Sequence, residues 1–345
     1  MTNAPSRLNL DSAALVSNWH ALAAMSGSAA CGAAIKADGY GLGAMQIVSR
    51  LADAGCRDFF VATWAEAEPL ASFGVSVSVL HGVREEDLAQ AGAGGARPVL
   101  NTVNQIARWK QAGGGSCDVM VDTGMNRLGV SVDDIAAGLL DGLQVETLMS
   151  HLACADQDHA MNERQRMAFA ALAGRTGARR MSLANSAGIA LGESYAFDLT
   201  RPGIALYGGV PRPEFAGVIR QVVTPEAQIL QRRHVPAGAS VGYNATFTTT
   251  RDTQVAILNL GYADGYFRGF SGTGAALFEE RQLPVLGRVS MDLIAIDVST
   301  APELAEGDWV ALDYGLPVAA AASGMSQYEL LTGLGERFQR CWTVS

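Results

Sequence analysis

The chain offers little amine chemistry, so its lysines are the first residues to examine. Lys plus Arg number 25, but the only lysines are Lys36 and Lys110. Lys110 falls within Ile106–Gln111, on the polar face of a predicted helix, and reads as a solvated charge. Lys36 directly follows the apolar run Ala29–Ile35, so a strand there aims its amine out of the strand end. An amine partly desolvated and set beside other cations has a lowered pKa and condenses with carbonyl compounds as a Schiff base. A salt-bridged lysine at a strand end is the alternative, and position alone leaves both readings open.

Other polar groups stand at comparable places. Arg127 lies in Asp122–Gly129 after the run Val119–Val121, and His151 follows Val145–Met149. Asn185 and Ser186 follow Met181–Leu183, while Arg201 precedes Ile204–Tyr207, which is expected as the last strand. Asp156, Asp158 and His159 lie close together, yet no further ligand stands at metal-site spacing, and no metal is expected. The five cysteines (Cys31, Cys56, Cys117, Cys154, Cys341) are scattered without a CxxC pair, which argues against a zinc ribbon or a disulfide framework.

These residues need a scaffold that gathers strand ends. From residue 29 to about 208, short apolar runs alternate with helix-like stretches such as Met161–Leu172. Eight such steps fit a parallel (β/α)8 barrel, whose chemistry sits at the C-terminal ends of the strands. A doubly wound sheet is the runner-up, but no GxGxxG follows an early strand. Asp11 is expected to cap a helix over Ser12–Ala24, with Leu15, Trp19 and Leu22 on one face. Beyond about residue 220, the strand-like runs Gln228–Arg232, Gln254–Leu260, Leu283–Val289, Leu293–Val298 and Trp309–Leu312 predict a mostly β domain. Helix signal returns only at Ser326–Leu334. The glycine clusters Ala91–Ala96 and Gly113–Gly115 read as turns, because no Lys or Ser/Thr follows at phosphate-loop spacing.

Composition narrows the function further. The chain has 345 residues, 49% of them hydrophobic and 17% charged, which is a globular balance. Its net charge of -9 argues against a phosphate-backbone partner such as nucleic acid. No apolar run reaches membrane-spanning length and no signal segment opens the chain, so a cytoplasmic location is expected.

Eight segments resemble, in order, the motifs of the alanine racemase family. AIKADGYG around Lys36 is similar to the family's pyridoxal-phosphate lysine motif. DTGMNRLG, SHLACAD, LANSAG, RPGIALYG, VGYNATF, GYADGY and GRVSMD follow, spanning residues 34 to 292. The resemblance implies a cofactor-binding barrel over 11–220 and a C-terminal β domain over 221–345. It also implies that residues 1–10 join the β domain, and that a homodimer shares each active site between subunits. The implied reaction interconverts L- and D-alanine with pyridoxal 5'-phosphate. Serine, or a broader set of small amino acids, is the alternative substrate class, and a cofactor carrier without turnover is a further alternative. A decarboxylase is disfavoured because Arg201 stands where a carboxylate would hold a protonated pyridine nitrogen.

Carried across residue by residue, Lys36 holds the cofactor and serves as the base on one face of Cα. Tyr243 of the partner subunit resembles the base on the opposite face. Two opposed bases let a proton leave one side and return on the other. A free tyrosine costs about 4 kcal/mol to deprotonate at pH 7, so this role needs a supporting cation or hydrogen-bond network. Arg201 resembles the residue facing the pyridine nitrogen, and since arginine keeps its proton the ring nitrogen stays an acceptor. His151 resembles the group that orients Arg201, and Arg127 the arginine near the cofactor phenolic oxygen and substrate carboxylate. Tyr40, Asn185, Ser186, Gly203 and Ile204 are implied around the cofactor, mainly at its phosphate. Met291 and Asp292 resemble the partner-side wall, and Tyr262, Asp156, Arg268 and Arg288 the substrate entrance. Two positions depart from the family. Met120 stands where many members carry a carbamylated lysine, and Glu336 aligns with a tyrosine that reaches the phosphate. Glu336 is expected to turn away or to pair with Arg337 or Arg340.

Overall fold

The computed structural model describes residues 4–343, so residues 1–3 of the N-terminal segment expected over 1–10 lie outside the described residues. The chain divides into two compact units. One comprises Leu15–Leu206 and Val210–Arg220; the other gathers the described residues up to Ala14, Tyr207–Gly209 and those from Gln221 onward.

The first unit is a parallel barrel. Ala33–Ala34, Asp58–Val61, Ser76–Val79, Arg97–Leu100, Cys117–Met120, Val145–Met149 and Arg180–Ser182 pair in chain order. The eighth strand, Leu199–Thr200, pairs in parallel with Ala30–Cys31. The ring is completed where Asp198 N donates to Met181 O and Ala34 N to Pro202 O. Strands covered by helices read as near-continuous apolar runs, and Phe59, Phe60, Val61, Val99, Leu100 and Leu148 are all essentially buried. Helix starts follow from local chemistry. Thr63 with Glu66, and Ser131 with Asp134, form capping boxes, while Thr102 caps Val103–Gln111. Asp11 accepts from Ala14 N at 2.8 Å to start Ser12–Met25, whose Leu15, Trp19 and Leu22 are buried.

One expected strand is not a strand. Ile204–Tyr207 is a 3-10 helix, and the eighth strand lies before Arg201 at Leu199–Thr200. An apolar run buried on all sides carries no periodicity to separate strand from helix. Pro202 moreover has no N–H to offer a ladder. The correction moves Arg201 from ahead of the last strand to just after it, like the other site residues.

The second unit is built on an eight-stranded sheet that closes on itself. In spatial order its strands are Thr253–Leu258, Ile294–Asp297, Arg281–Leu286, Ala275–Phe278, Trp309–Leu312, Val223–Val235, Ser6–Leu10 and Gln339–Trp342. Val223–Val235 pairs with Ser6–Leu10 along its first half and with Thr253–Leu258 along its second, bending at a register shift between Ile229 and Gln231. Ser6, Leu8 and Leu10 alternate inward. Two helices follow, Leu316–Ser323 and Gln327–Thr332. The first was not expected from the sequence: its Ala-rich run has no amphipathic period, although Pro317 in the first turn suits a helix start.

Candidate active site

Lys36 opens a turn of unusual hand. Ala37, Asp38, Gly39 and Tyr40 all have positive φ, between 52° and 63°. Each non-glycine residue there costs about 1–2 kcal/mol, so the turn must be held from outside. Ala37 N donates to Glu66 Oε1 at 2.8 Å, and Glu66 Oε2 accepts from Ala62 N and Thr63 N after the second strand. Asp38 Oδ1 accepts from Ala44 N at 2.8 Å and begins the helix Ala44–Asp53. The strain is localised at the residue with the most distinctive chemistry, as at many functional sites.

The amine has the electrostatics expected of a Schiff-base former. Desolvation and the charge of Arg127 lower the Lys36 pKa, with Glu66 opposing them. Arg127 sits on a loop wound around Asp122, which accepts from Gly124 N and Met125 N through Oδ1 and from Arg127 N through Oδ2. His151, after the sixth strand, is pushed down to about 3 by burial and by Arg201, Arg127 and Lys36, and is a neutral imidazole at physiological pH. The three cations therefore converge on one histidine at the strand ends.

Arg201 is buried, and desolvation lowers its pKa to about 10, leaving it charged at neutral pH. Its guanidinium donates to Ser182 Oγ and, at 2.6 Å, to Ser150 O. These two groups, rather than His151, fix its orientation by hydrogen bonding. Asp118, fully buried on the fifth strand, supplies the opposing charge. That carboxylate accepts from Ser78 Oγ and Thr147 N, and its place in the strand coincides with a register shift.

Tyr40, Ser186 and Gly203 form a close-packed corner. Ser186 Oγ accepts from Gly203 N at 2.8 Å and Ala205 N at 3.3 Å. Asn185 uses its side chain to cap Ser186–Ile189, accepting from Gly188 N. A Cβ on Gly203 would lie 2.2 Å from Tyr40 Oη, so a side chain there would have to displace the Tyr40 phenol. Ile204 is buried at the start of the 3-10 segment. An amine, two guanidiniums, hydroxyls and a neutral imidazole suit an aldehyde cofactor bearing a phosphate, a phenolic oxygen and an acceptor ring nitrogen.

Of the remaining expected residues, Tyr243, Tyr262, Arg268, Arg288, Met291, Asp292 and Glu336 lie in the second unit, and Met120, Asp156, Asp158 and His159 in the first. Tyr243 is 69% exposed and borders a cleft with Arg288 and Ser290. Met291 and Asp292 are also exposed, and Arg268 stacks over the Tyr262 ring at 5.1 Å. Glu336 is exposed, and of the alternatives expected for it the pairing with Arg337 is not formed: Arg337 is taken by Asp264 and Asp292. Asp158 pairs with Arg212, and His159 caps the helix Ala160–Ala170. Met120 is buried on the fifth strand. No group of three metal-ligating side chains occurs among the described residues.

Sequence reasoning missed Glu66, Asp118, Ser182 and Gln165. Glu66 was readable as the far end of a capping box, and Asp118 as an acid inside an apolar run. Gln165 is buried on a helix, where it donates to His151 O and accepts from Ala153 N, and nothing local announces that role.

A parallel barrel with a Schiff-base-competent lysine at its first strand end, joined to a β domain, defines a class of cofactor-dependent amino-acid enzymes. The alanine racemase N-terminal domain profile matches residues 10–211 and the C-terminal domain profile residues 222–342. The chain belongs to the alanine racemase family. It is 41% identical to the alanine racemase of Acidiphilium cryptum, over 96% of this chain and 97% of that one. It is 40% identical to the catabolic alanine racemase of Agrobacterium fabrum, over 98% and 92%. The crystal structure of Bartonella henselae alanine racemase with covalently bound pyridoxal phosphate superposes with a TM-score of 0.90 at 34% identity, covering 99% of this chain and 100% of that one.

Proposed function

We propose that this protein is a pyridoxal-phosphate-dependent racemase that interconverts L- and D-alanine. The observation that carries the reading is Lys36: an amine with lowered pKa on a constrained turn, facing Arg127 and His151 beside a buried Arg201. Pyridoxal phosphate, when bound, supplies the electron sink that makes the substrate Cα–H acidic. Lys36 would hold the cofactor aldehyde and then move a proton at one face of Cα. Tyr243, contributed by the partner subunit of a homodimer, would move the proton at the opposite face. Its exposure, with that of Met291 and Leu293, supports a surface that completes a neighbouring site. Arg201 would donate to the pyridine nitrogen and keep it unprotonated, which limits the sink and discourages side reactions. Arg127 would orient the substrate carboxylate, and Tyr40, Ser186, Gly203 and Ile204 would receive the phosphate.

No helix among the described residues is long and apolar enough to cross a membrane. A cytoplasmic location is our reading, supported by five unpaired cysteines. The test is chiral analysis after incubating purified, cofactor-loaded protein with L-alanine, L-serine and larger amino acids. We expect D-alanine as the main product and none from Lys36→Ala, which also loses the visible absorbance of lysine-bound cofactor. Faster inversion of serine would assign the Met120 and Glu336 departures to specificity. No inversion of any substrate would leave only cofactor binding.

A further inference from the structure

Arg337 follows the helix Gln327–Thr332 and joins two segments distant from it in sequence. Its Nε donates to Asp264 Oδ1 at 2.6 Å and its Nη1 to Asp292 Oδ1 at 2.7 Å. The two carboxylates differ sharply in setting: Asp264 has 1% of its side chain exposed and Asp292 51%. Asp264 is fixed from several directions, since its Oδ2 accepts from Gly261 N and its carbonyl from Gly335 N. The Tyr262–Asp264 turn is also laid against Ser290–Asp292, with Tyr262 N donating to Ser290 O and Ala263 N to Met291 O.

A buried carboxylate needs a cation, so Asp264 accounts for one side of Arg337. An exposed pair such as Arg337–Asp292 normally contributes little, because both long side chains must be ordered to form it. Here the guanidinium is already ordered by Asp264, and its planar fork points a second nitrogen at Asp292. A lysine, as a single point of charge, cannot reproduce both bonds.

We propose that Arg337 is a positioning and specificity-determining residue. Anchored on Asp264, it fixes Asp292 and the adjoining Met291, and it engages the Asp292 carboxylate so that this acid is not free to pair with a cationic substrate side chain. Small uncharged side chains meet no penalty there, and cationic ones find no free carboxylate. The proposal rests on the reading that Met291 and Asp292 border the substrate.

The test compares cofactor-loaded wild type with Arg337→Met, Arg337→Lys, Asp292→Asn and the Arg337→Met/Asp292→Asn double variant, using alanine and lysine as substrates. Loss of the charge-assisted bond in Arg337→Met raises KM for alanine about tenfold, keeps kcat within about twofold and raises kcat/KM for lysine about tenfold. The gain for lysine disappears in the double variant, where no carboxylate is uncovered. Arg337→Lys keeps a cation at Asp264 but cannot span both acids, so its KM for alanine rises about threefold. An unchanged KM in Arg337→Lys overturns the proposal even if Arg337→Met fails to fold. Equal loss through kcat with no gain for lysine overturns it as well. If Asp292→Asn shifts KM while both Arg337 variants do not, the substrate wall stands and the role of Arg337 falls. If none of the variants moves either substrate, both fall.

Discussion

The site concentrates positive charge where a side chain that titrates near neutrality must stay uncharged. His151 faces Arg201, Arg127 and Lys36, and its proton is expelled until about pH 3. An unfolded histidine takes up its proton near pH 6.5, so between these values the unfolded state binds more protons than the folded one. Stability from this residue is therefore intact above about pH 6.5 and falls as the pH is lowered, by at most about 1.4 kcal/mol per pH unit. His151→Gln should flatten the acid side of a stability-versus-pH curve measured by denaturant unfolding. A variant that loses stability as steeply as wild type between pH 6 and 4 would show that His151 does not titrate this way. The placement of Lys36 and Arg127 after barrel strands was readable from the apolar runs before them, whereas their proposed roles come from the family resemblance. Glu66 and Asp118 carry local sequence signals, but which cations they act on required the fold, because their effects cross from one strand to another.

Elements set the precision of the site. The turn Lys36–Tyr40 and the segment from Gly203 meet so closely that Tyr40 Oη occupies the space of a Cβ at Gly203. Gly203→Ala must displace the Tyr40 phenol or shift the turn away from Ser186. We expect cofactor affinity to fall about tenfold or more, because hydroxyl and backbone donors at the phosphate lose their alignment. Equilibrium dialysis of pyridoxal phosphate measures it, and an affinity equal to wild type would show that Tyr40 and Gly203 do not share the phosphate. At this scale the sequence was most and least informative in neighbouring segments. Seven barrel strands lie on or beside the apolar runs that predicted them, because buried parallel strands need such runs. The eighth was misplaced by a few residues, since Ile204–Tyr207 is as apolar and as buried as a strand. The helix Leu316–Ser323 was overlooked because alanine carries helix propensity but no pattern.

For the whole molecule, the proposed mechanism draws residues from each unit. The barrel unit carries Lys36, Arg127, His151 and Arg201, and the β unit carries Tyr243, Met291 and Asp292. The Ser6–Leu10 strand ties the start of the chain into the β unit, between Val223–Val235 and Gln339–Trp342. This proposed division of labour rests on motif order, whereas the bracing of the β unit by Arg337 had no sequence signal. The central claim is that each active site combines Lys36 of one subunit with Tyr243 of its partner. Co-expressing Lys36→Ala with Tyr243→Phe tests it most directly. Each variant alone should be nearly inactive, while random pairing puts half the dimers in mixed form with one intact site of two, restoring about a quarter of wild-type racemisation. If the mixture is no more active than the variants apart, both residues serve a site within one chain, or Tyr243 is not the second base.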